Sequence, residues 1–323
     1  MVYLNEGHIK ELGFNWEENI ETIKKSVECM INDDYAQPIK PYLRYKEKTN
    51  RIIAMPAFVG GEINKAGIKW ISSFPQNIKN GLPRAHSVVI LNDADTGVPS
   101  GILNSGSVSA IRTASVSGMI TKHYLEAKNP KSVKVGIIGF GPIGQYHLDM
   151  CYSLLKDKCE EIRIFDLKGV NTELINNEEL KAKIVVVDSW EEAYLDADIF
   201  MTCTVSKVTY INKQPKPGSL HLNISLRDYK AETYEWFAKA IIVDNWEEIC
   251  RENTDIENFH LEKGLQKEDT KSILDLVSEN IFLTLEENQA VMFNPMGMAA
   301  FDIAISQNYV RRAMKNKVGI FLN

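Results

Sequence analysis

The sequence has little that could hold a metal or a disulfide framework. Its five cysteines (Cys29, Cys151, Cys159, Cys203 and Cys250) are odd in number and never form a C-x-x-C pair. A reduced, cytoplasmic chain is therefore expected. The six histidines contain no H-x-x-x-H or H-E-x-x-H spacing, so no catalytic metal is expected. No run approaches the roughly 18 uncharged apolar residues that a membrane span needs. The opening stretch MVYLNEGHIKELGFNWEENIE carries acids early and has no long apolar region, so a signal peptide is not expected either. Positive charge is also short. With 37 basic and 43 acidic residues, the net charge of −6 gives no general reason to bind nucleic acid or an anionic membrane.

What is present is an ordinary globular composition: 323 residues, 44% hydrophobic and 25% charged, long enough for about two domains. The chain reads as three stretches. From about residue 34 to 104, the runs PIKPYLRY, RIIAMPAF, AGIKWISS and HSVVILND suggest short strands, separated by Gly60-Gly61, Asn80-Gly81 and Asp95-Thr96-Gly97. A helical period follows in SVSAIRTASVSGMITKHYL and closes near Asn129-Pro130. From about 133 to 245, VKVGIIG, EIRIFD, KIVVVD, DIFMTCT, LHLNIS and AIIVD lack clean alternation, as parallel strands covered on both faces do. The tail from 246 reads as mostly helical and acidic, with a break at Asn294-Pro295-Met296-Gly297-Met298.

The strongest local motif is VKVGIIGFGPIGQYHLDM. Here Gly139, Gly141 and Gly144 form G-x-G-x-x-G, with Pro142 and Ile143 between the last two, after an apolar strand and before an amphipathic helix. The first glycine permits the tight turn, the second lets backbone approach a pyrophosphate, and the third lets helix pack on strand. A second strand ends in Asp166, 22 residues after Gly144, where a carboxylate meets the adenosine ribose. That carboxylate would repel a 2′-phosphate and so favours NAD over NADP. Thr202, Thr204 and Val205 close another strand and are positioned to border the cofactor. Polar residues at a strand end are otherwise unremarkable.

Cations stand where strand burial should forbid them. Lys40, Tyr42 and Arg44 share one face at period two, and Lys69 lies between Ile68 and Trp70. Arg112 falls in what reads as the first turn of the connecting helix, where N–H groups are free. Each could be a solvated strand-edge charge or a salt-bridge partner. Taken together, Arg44, Lys69 and Arg112 favour a pocket for an anionic ligand, with Lys40 behind them. Asp228, in HLNISLRDYKAE, lies beyond a strand's carboxyl end, the rim where cofactor and substrate meet in open parallel sheets. It could equally cap the helical segment that follows.

These features occur in one order: Arg44, GIKW with Lys69, LND-x-x-TG at 91–97, IRTA with Arg112, GFGPIG, and N-x-x-x-x-D ending at Asp228. In that order the chain resembles the ornithine cyclodeaminase/mu-crystallin family over essentially its whole length. The resemblance implies an α/β fold: a Rossmann-type NAD-binding domain, 113–297, and a discontinuous α+β substrate-binding and dimerisation domain, 1–112 with 298–323. It assigns substrate carboxylate to Arg44, Lys69 and Arg112, catalysis to Asp228 with Lys69, and NAD to Gly139, Gly141, Gly144 and Asp166. Thr113 and Ser225 join the cofactor set, and a homodimer is implied.

Within the family, QPIKPYLR, RIIAMPAFVGGE, GIKWI, VILND, TCTV, NIS-x-x-D and NPMGMA point to one branch. Its reaction is the NAD-dependent oxidative hydrolysis of N-(2-amino-2-carboxyethyl)-L-glutamate to 2,3-diaminopropionate and 2-oxoglutarate, for siderophore or peptide antibiotic assembly. A pyridoxal phosphate-dependent synthase is then the expected pathway neighbour. Lys40 and Arg227 are available as further counter-charges for this polycarboxylate. Ornithine cyclodeaminases usually carry D-x-P-G-K-x-E after the aspartate, where this chain reads DYKAE. The alternatives are ornithine cyclodeamination, another imine-forming amino-acid dehydrogenation, or nucleotide-dependent ligand binding of the mu-crystallin kind.

Overall fold

The computed structural model describes residues 1–322. The chain divides into two compact units, Met1–Val116 with Gly297–Asn323, and Ser117–Met296.

The first unit is built on a mixed sheet. Its strands are β1 (Val2–Asn5), β2 (Tyr35–Ala36), β3 (Tyr42–Leu43), β4 (Arg51–Val59), β5 (Lys65–Ser73), β6 (Ala85–Asp93) and β7 (Pro99–Asn104). The order runs from a C-terminal strand, Ile320–Phe321, through β1, β7, β6, β5 and β4 to β2, with β3 also paired to β4. One face, carrying Met55, Ala57, Val59, Val89, Leu91 and Leu103, is buried, and the helix Ala299–Asn316 packs against β4, β5 and β6.

Two expectations need correction here. PIKPYLRY is not a strand, since only Tyr42 and Leu43 pair, with Ile53 and Ile52. Pro38 and Pro41 have no N–H to give a ladder. Lys40 is accordingly buried while Arg44 is exposed, and the two do not share a strand face. The N-terminal strand β1, parallel to β7, was not foreshadowed by its four residues.

Helix α1 (Glu6–Leu12) and helix α2 (Trp16–Ile31) start on Asn5 and Asn15, whose side chains accept from backbone N–H groups of the first turn. Helix α3 (Gly106–Lys128) carries the chain from the first unit into the second and ends before Pro130. Because it starts at Gly106, Arg112 lies in its second turn, not the first, and has no orphan N–H to offer a ligand.

The second unit holds a parallel sheet of β8 (Val133–Ile138), β9 (Cys159–Phe165), β10 (Ile184–Val186), β11 (Ile199–Thr202), β12 (Leu220–Asn223), β13 (Ile241–Val243), β14 (Lys271–Ser272) and β15 (Val291–Asn294). The order is β10-β9-β8-β11-β12-β15-β13-β14. Strands β11, β12, β13 and β15 are buried at every residue, as unalternating Val/Ile-rich runs require. β10 departs from that reading: it is an outer strand, with Val185 and Val186 exposed. The tail is also less helical than expected, since VMFN inserts as β15 between β12 and β13.

Candidate active site

In the first unit, Lys69 projects from β5 into the buried face and is 1% exposed. Its Nζ donates to Asp302 Oδ1 at 2.9 Å and to Ser109 Oγ at 2.8 Å. Arg112 Nε donates to the same Asp302 oxygen at 3.0 Å. Lys40 Nζ, also buried, donates to the Gly297 carbonyl at 2.8 Å. Gly297 has φ +88, and a Cβ there would stand 2.8 Å from Arg112 Nη1, so glycine is what lets the guanidinium lie against this backbone. Two cations, Lys69 and Arg112, thus share one buried carboxylate, an excess of one positive charge, and Asp302 Oδ2 is buried without a partner. Such an excess suits an anionic ligand. Burial lowers the Lys69 pKa to about 8; Asp302 opposes the shift, while Arg112 and Lys40 add to it.

Arg44 is not part of this cluster. It is exposed, lies 5.3 Å over the Tyr42 ring, and donates to the Lys48 carbonyl at 3.5 Å. Thr113 is likewise in the first unit, on α3, its hydroxyl given to the Ser109 carbonyl at 2.8 Å. Asp302 was missed in the sequence, although an acid in the apolar run AAFDIAIS is as anomalous as Lys69 in AGIKWISS.

In the second unit, the turn after β8 has Gly139 at φ +90, and a Cβ there would stand 2.5 Å from the Cys203 carbonyl oxygen. A Cβ on Gly144 would stand 2.1 Å from the Gly139 carbonyl, whereas one on Gly141 would meet nothing within 4 Å. Gly141 is the N-cap of helix α4 (Pro142–Leu155), which opens with Pro142 and Ile143 and offers its N–H groups to that open space. Asp166 closes the arrangement: its two oxygens accept from Phe140 N at 2.7 Å and Lys168 N at 2.8 Å. Each oxygen keeps a lone pair for a hydroxyl. The residues present therefore fit a dinucleotide: the backbone at Gly141 would hold its pyrophosphate and Asp166 its ribose.

Asp228 lies in the loop after β12 and is fully buried. Oδ1 accepts from Thr204 Oγ1 at 2.5 Å, Oδ2 accepts from the Ser225 hydroxyl, and the Tyr210 hydroxyl also bonds to the carboxylate. Burial, with Asp228 adding to it, raises the Tyr210 pKa, so this phenol stays a donor. Asp228 does not cap the next segment, whose N-cap is Lys230. Three of the expected cofactor residues are engaged with the protein itself. Thr204 and Ser225 serve Asp228, and fully buried Thr202 donates to Asn223 Oδ1 at 3.0 Å. Val205 is exposed beside them. Arg227 turns to the Glu252 carbonyl at 2.8 Å. Tyr210, in KVTYINK, carried no signal in the sequence.

His221 is the other titratable group of this region. Burial drives its pKa down to about 3, and Ser219 and Tyr229 hold its ring at 3.0 and 2.8 Å. It is a neutral core residue.

Comparison with known proteins places the fold among relatives. The chain is 32% identical to N-((2S)-2-amino-2-carboxyethyl)-L-glutamate dehydrogenase of Staphylococcus aureus (strain NCTC 8325 / PS 47), over 100% of this chain and 98% of that one. It is 24% identical to a Delta(1)-pyrroline-2-carboxylate reductase of Bacillus cereus (strain ATCC 10987 / NRS 248), over 94% of each. Among solved structures, the Delta(1)-pyrroline-2-carboxylate reductase of Thermococcus litoralis, in complex with NADH and L-proline, has the same fold. That match has a TM-score of 0.88 at 21% identity and covers 100% of both chains. The model of the ornithine cyclodeaminase/mu-crystallin family matches residues 8–317, and the chain belongs to that family.

Proposed function

We propose that this protein is an NAD-dependent dehydrogenase acting on a CH–NH bond, and that its substrate is N-(2-amino-2-carboxyethyl)-L-glutamate. The observation that carries the substrate is the buried Lys69 and Arg112 pair, two cations on the single Asp302 carboxylate, with Lys40 on the neighbouring Gly297 carbonyl. It suits a tricarboxylate better than cationic ornithine. The full-length relationship to the S. aureus dehydrogenase supports the same reading.

NAD, when bound, is the oxidant that accepts hydride from the α-carbon of the glutamyl half. Asp228 takes the proton of the secondary amine, which must be neutral for a C=N bond to form. Once Asp228 has passed that proton to solvent, water adds to the C=N carbon, and Asp228 receives its proton and returns it to the departing nitrogen. The balance is substrate, NAD+ and water in, and 2-oxoglutarate, 2,3-diaminopropionate, NADH and a proton out. Thr204, Ser225 and Tyr210 keep the carboxylate oriented for both transfers. Lys69 and Arg112 fix substrate carboxylate, which holds the reacting carbon in place. The reaction that supplies such a substrate must join glutamate nitrogen to a three-carbon amino acid, a β-replacement of the pyridoxal phosphate class. Incubating the purified protein with NAD and a panel of amino acids, with products identified by mass spectrometry, tests the assignment; turnover of ornithine alone would replace it.

Cofactor choice follows from Asp166. kcat/KM for NAD is expected to exceed that for NADP by more than about tenfold, since one unfavourable charge contact readily exceeds ~1.4 kcal/mol. Steady-state rates with both cofactors check this, and equal use of the two would remove the role given to Asp166.

Lys69 sets an alkaline limit. With its pKa at about 8, it loses its charge above that pH, and KM for a carboxylate substrate should rise there while kcat holds. The fold responds with the opposite sign. Between about 8 and the ordinary lysine value of 10.5 the unfolded chain binds the extra proton, so this group's contribution to stability rises with pH. A KM that rises above pH 8 in a protein that stays folded is the expected result; a flat KM would deny Lys69 a role in binding.

The homodimer has a physical basis in the first unit. On the sheet face opposite the buried one, Pro56, Ile68, Ile90 and Ile102 form one cross-strand row, and Ala54, Trp70 and Val88 the next. Trp70 is 43% exposed and Ile90 37%, an apolar patch that a second copy would cover. Trp70→Glu with Ile90→Glu should give a monomer in sedimentation velocity, whereas an unchanged dimer would place the interface elsewhere. No helix among the described residues is long and apolar enough to cross a membrane.

A further inference from the structure

We propose that Asp255 is the positioning residue of Asp228: seated on the polar ends of three neighbouring strands, it clamps the turn that carries Asp228. This rests on the acid/base role given to Asp228.

The platform comes from strand register. Thr202 pairs with Asn223, and Leu222 pairs with Phe293, so Thr202, Asn223 and Asn294 close β11, β12 and β15 side by side. Asn223 joins them: its oxygen accepts from Thr202, and its amide donates to Asn294 Oδ1 at 2.9 Å and to Asp255 Oδ2 at 3.0 Å. Asp255 opens the helix Asp255–Lys263, capped by Thr254, and is fully buried.

From that seat Asp255 holds the Asp228 turn at both ends. Its backbone N–H donates to the Leu226 carbonyl at 2.8 Å. Its Oδ2 accepts from Asp228 N at 3.1 Å and Tyr229 N at 3.3 Å. The clamp is needed because Leu226 is held at φ 63, a conformation that disfavours a bulky side chain. Released, the turn would relax and carry Asp228 away from Thr204 and Ser225.

The other oxygen, Oδ1, is buried with no partner. Burial, with Asp228 adding to it, pushes the Asp255 pKa up to about 7, while Asn223 and the two backbone N–H groups oppose the shift. The groups around the pair are Thr204, Ser225, Tyr210, Tyr229, Cys203, Asn223 and Asn294, of which Tyr210, Tyr229 and Cys203 are titratable and all three are held neutral by burial. The Arg227 cation is turned to the carbonyls of Glu252 and Ser225. Near neutral pH, therefore, the group that takes up a proton is the same one that holds the turn carrying Asp228.

The test compares Asp255→Asn and Asp255→Ala with the parent. Asparagine keeps an acceptor for the two N–H groups and removes the titration; alanine removes both. The parent's kcat should begin to fall on the acid side near pH 7, where Asp255 takes up a proton. Asp255→Asn should lose that pH dependence. Asp255→Ala should lose about 10- to 100-fold in kcat from misplacement of the turn, with NAD affinity unchanged. Carboxyl-carbon NMR of labelled aspartates, assigned with Asp255→Asn, reads the Asp255 titration without substrate. It therefore survives even if the substrate assignment fails and the Ala variant does not fold. Identical pH profiles and carboxyl titrations in the parent and Asp255→Asn would overturn the proposal.

Discussion

Replacing Asp228 by asparagine is expected to lower kcat by about 10²–10⁴, the usual loss when a general base is removed. The side chain keeps its size and an acceptor oxygen, and the hydroxyls of Thr204, Ser225 and Tyr210 can rotate to meet an amide. NAD affinity should therefore change little, because the Gly139–Gly144 turn and Asp166 are untouched. The melting temperature should change little as well, since Asp228 caps no helix. Stopped-flow turnover, a fluorescence titration with NADH and a thermal melt separate the outcomes. Normal turnover would remove the acid/base role. An activity loss that tracked a fall in melting temperature would make the residue structural.

Lys69→Met should act on binding and on folding together. Removing one partner of a fully buried ion pair costs ~3–5 kcal/mol when a lone charge is left behind. Asp302 would still have Arg112, so the folding loss should lie below that range. Substrate binding loses a buried, charge-assisted contact, which corresponds to a fall in kcat/KM of about 10²–10³. Asp302→Asn in the parent separates the two effects. It takes the shared counter-ion from Lys69 and Arg112 and should cost stability while leaving both cations to bind substrate carboxylate. An equal fall in kcat/KM in Asp302→Asn and Lys69→Met would mean that Lys69 matters only as the partner of Asp302.

The second unit was the more legible in sequence, for a physical reason. A parallel strand buried on both faces must be apolar throughout, and a phosphate-binding turn must have glycine where a Cβ would strike backbone, as at Gly139 and Gly144. The strands β14 and β15 escaped because they are too short to show a pattern before register places them. In the first unit, Lys69 was legible because a lone cation in an apolar strand has few explanations, whereas Arg44 misled. The period-two spacing of PIKPYLRY looked like a strand, but two prolines cannot join a ladder, and Arg44 ended on the surface. Asp302 and Asp255 show what spacing cannot supply. The first lies far from Lys69 along the chain and meets it only through helix-on-sheet packing. The second sits behind Thr254 in T-D-I-E, a helix start in which an acid needs no further reason.

The most direct test of the account is stoichiometry with N-(2-amino-2-carboxyethyl)-L-glutamate as sole amino-acid substrate. NADH measured by absorbance and 2-oxoglutarate measured by mass spectrometry should accumulate one to one, with 2,3-diaminopropionate in equal amount. Inertness toward this conjugate, together with conversion of ornithine to proline and ammonia without net NADH, would contradict it.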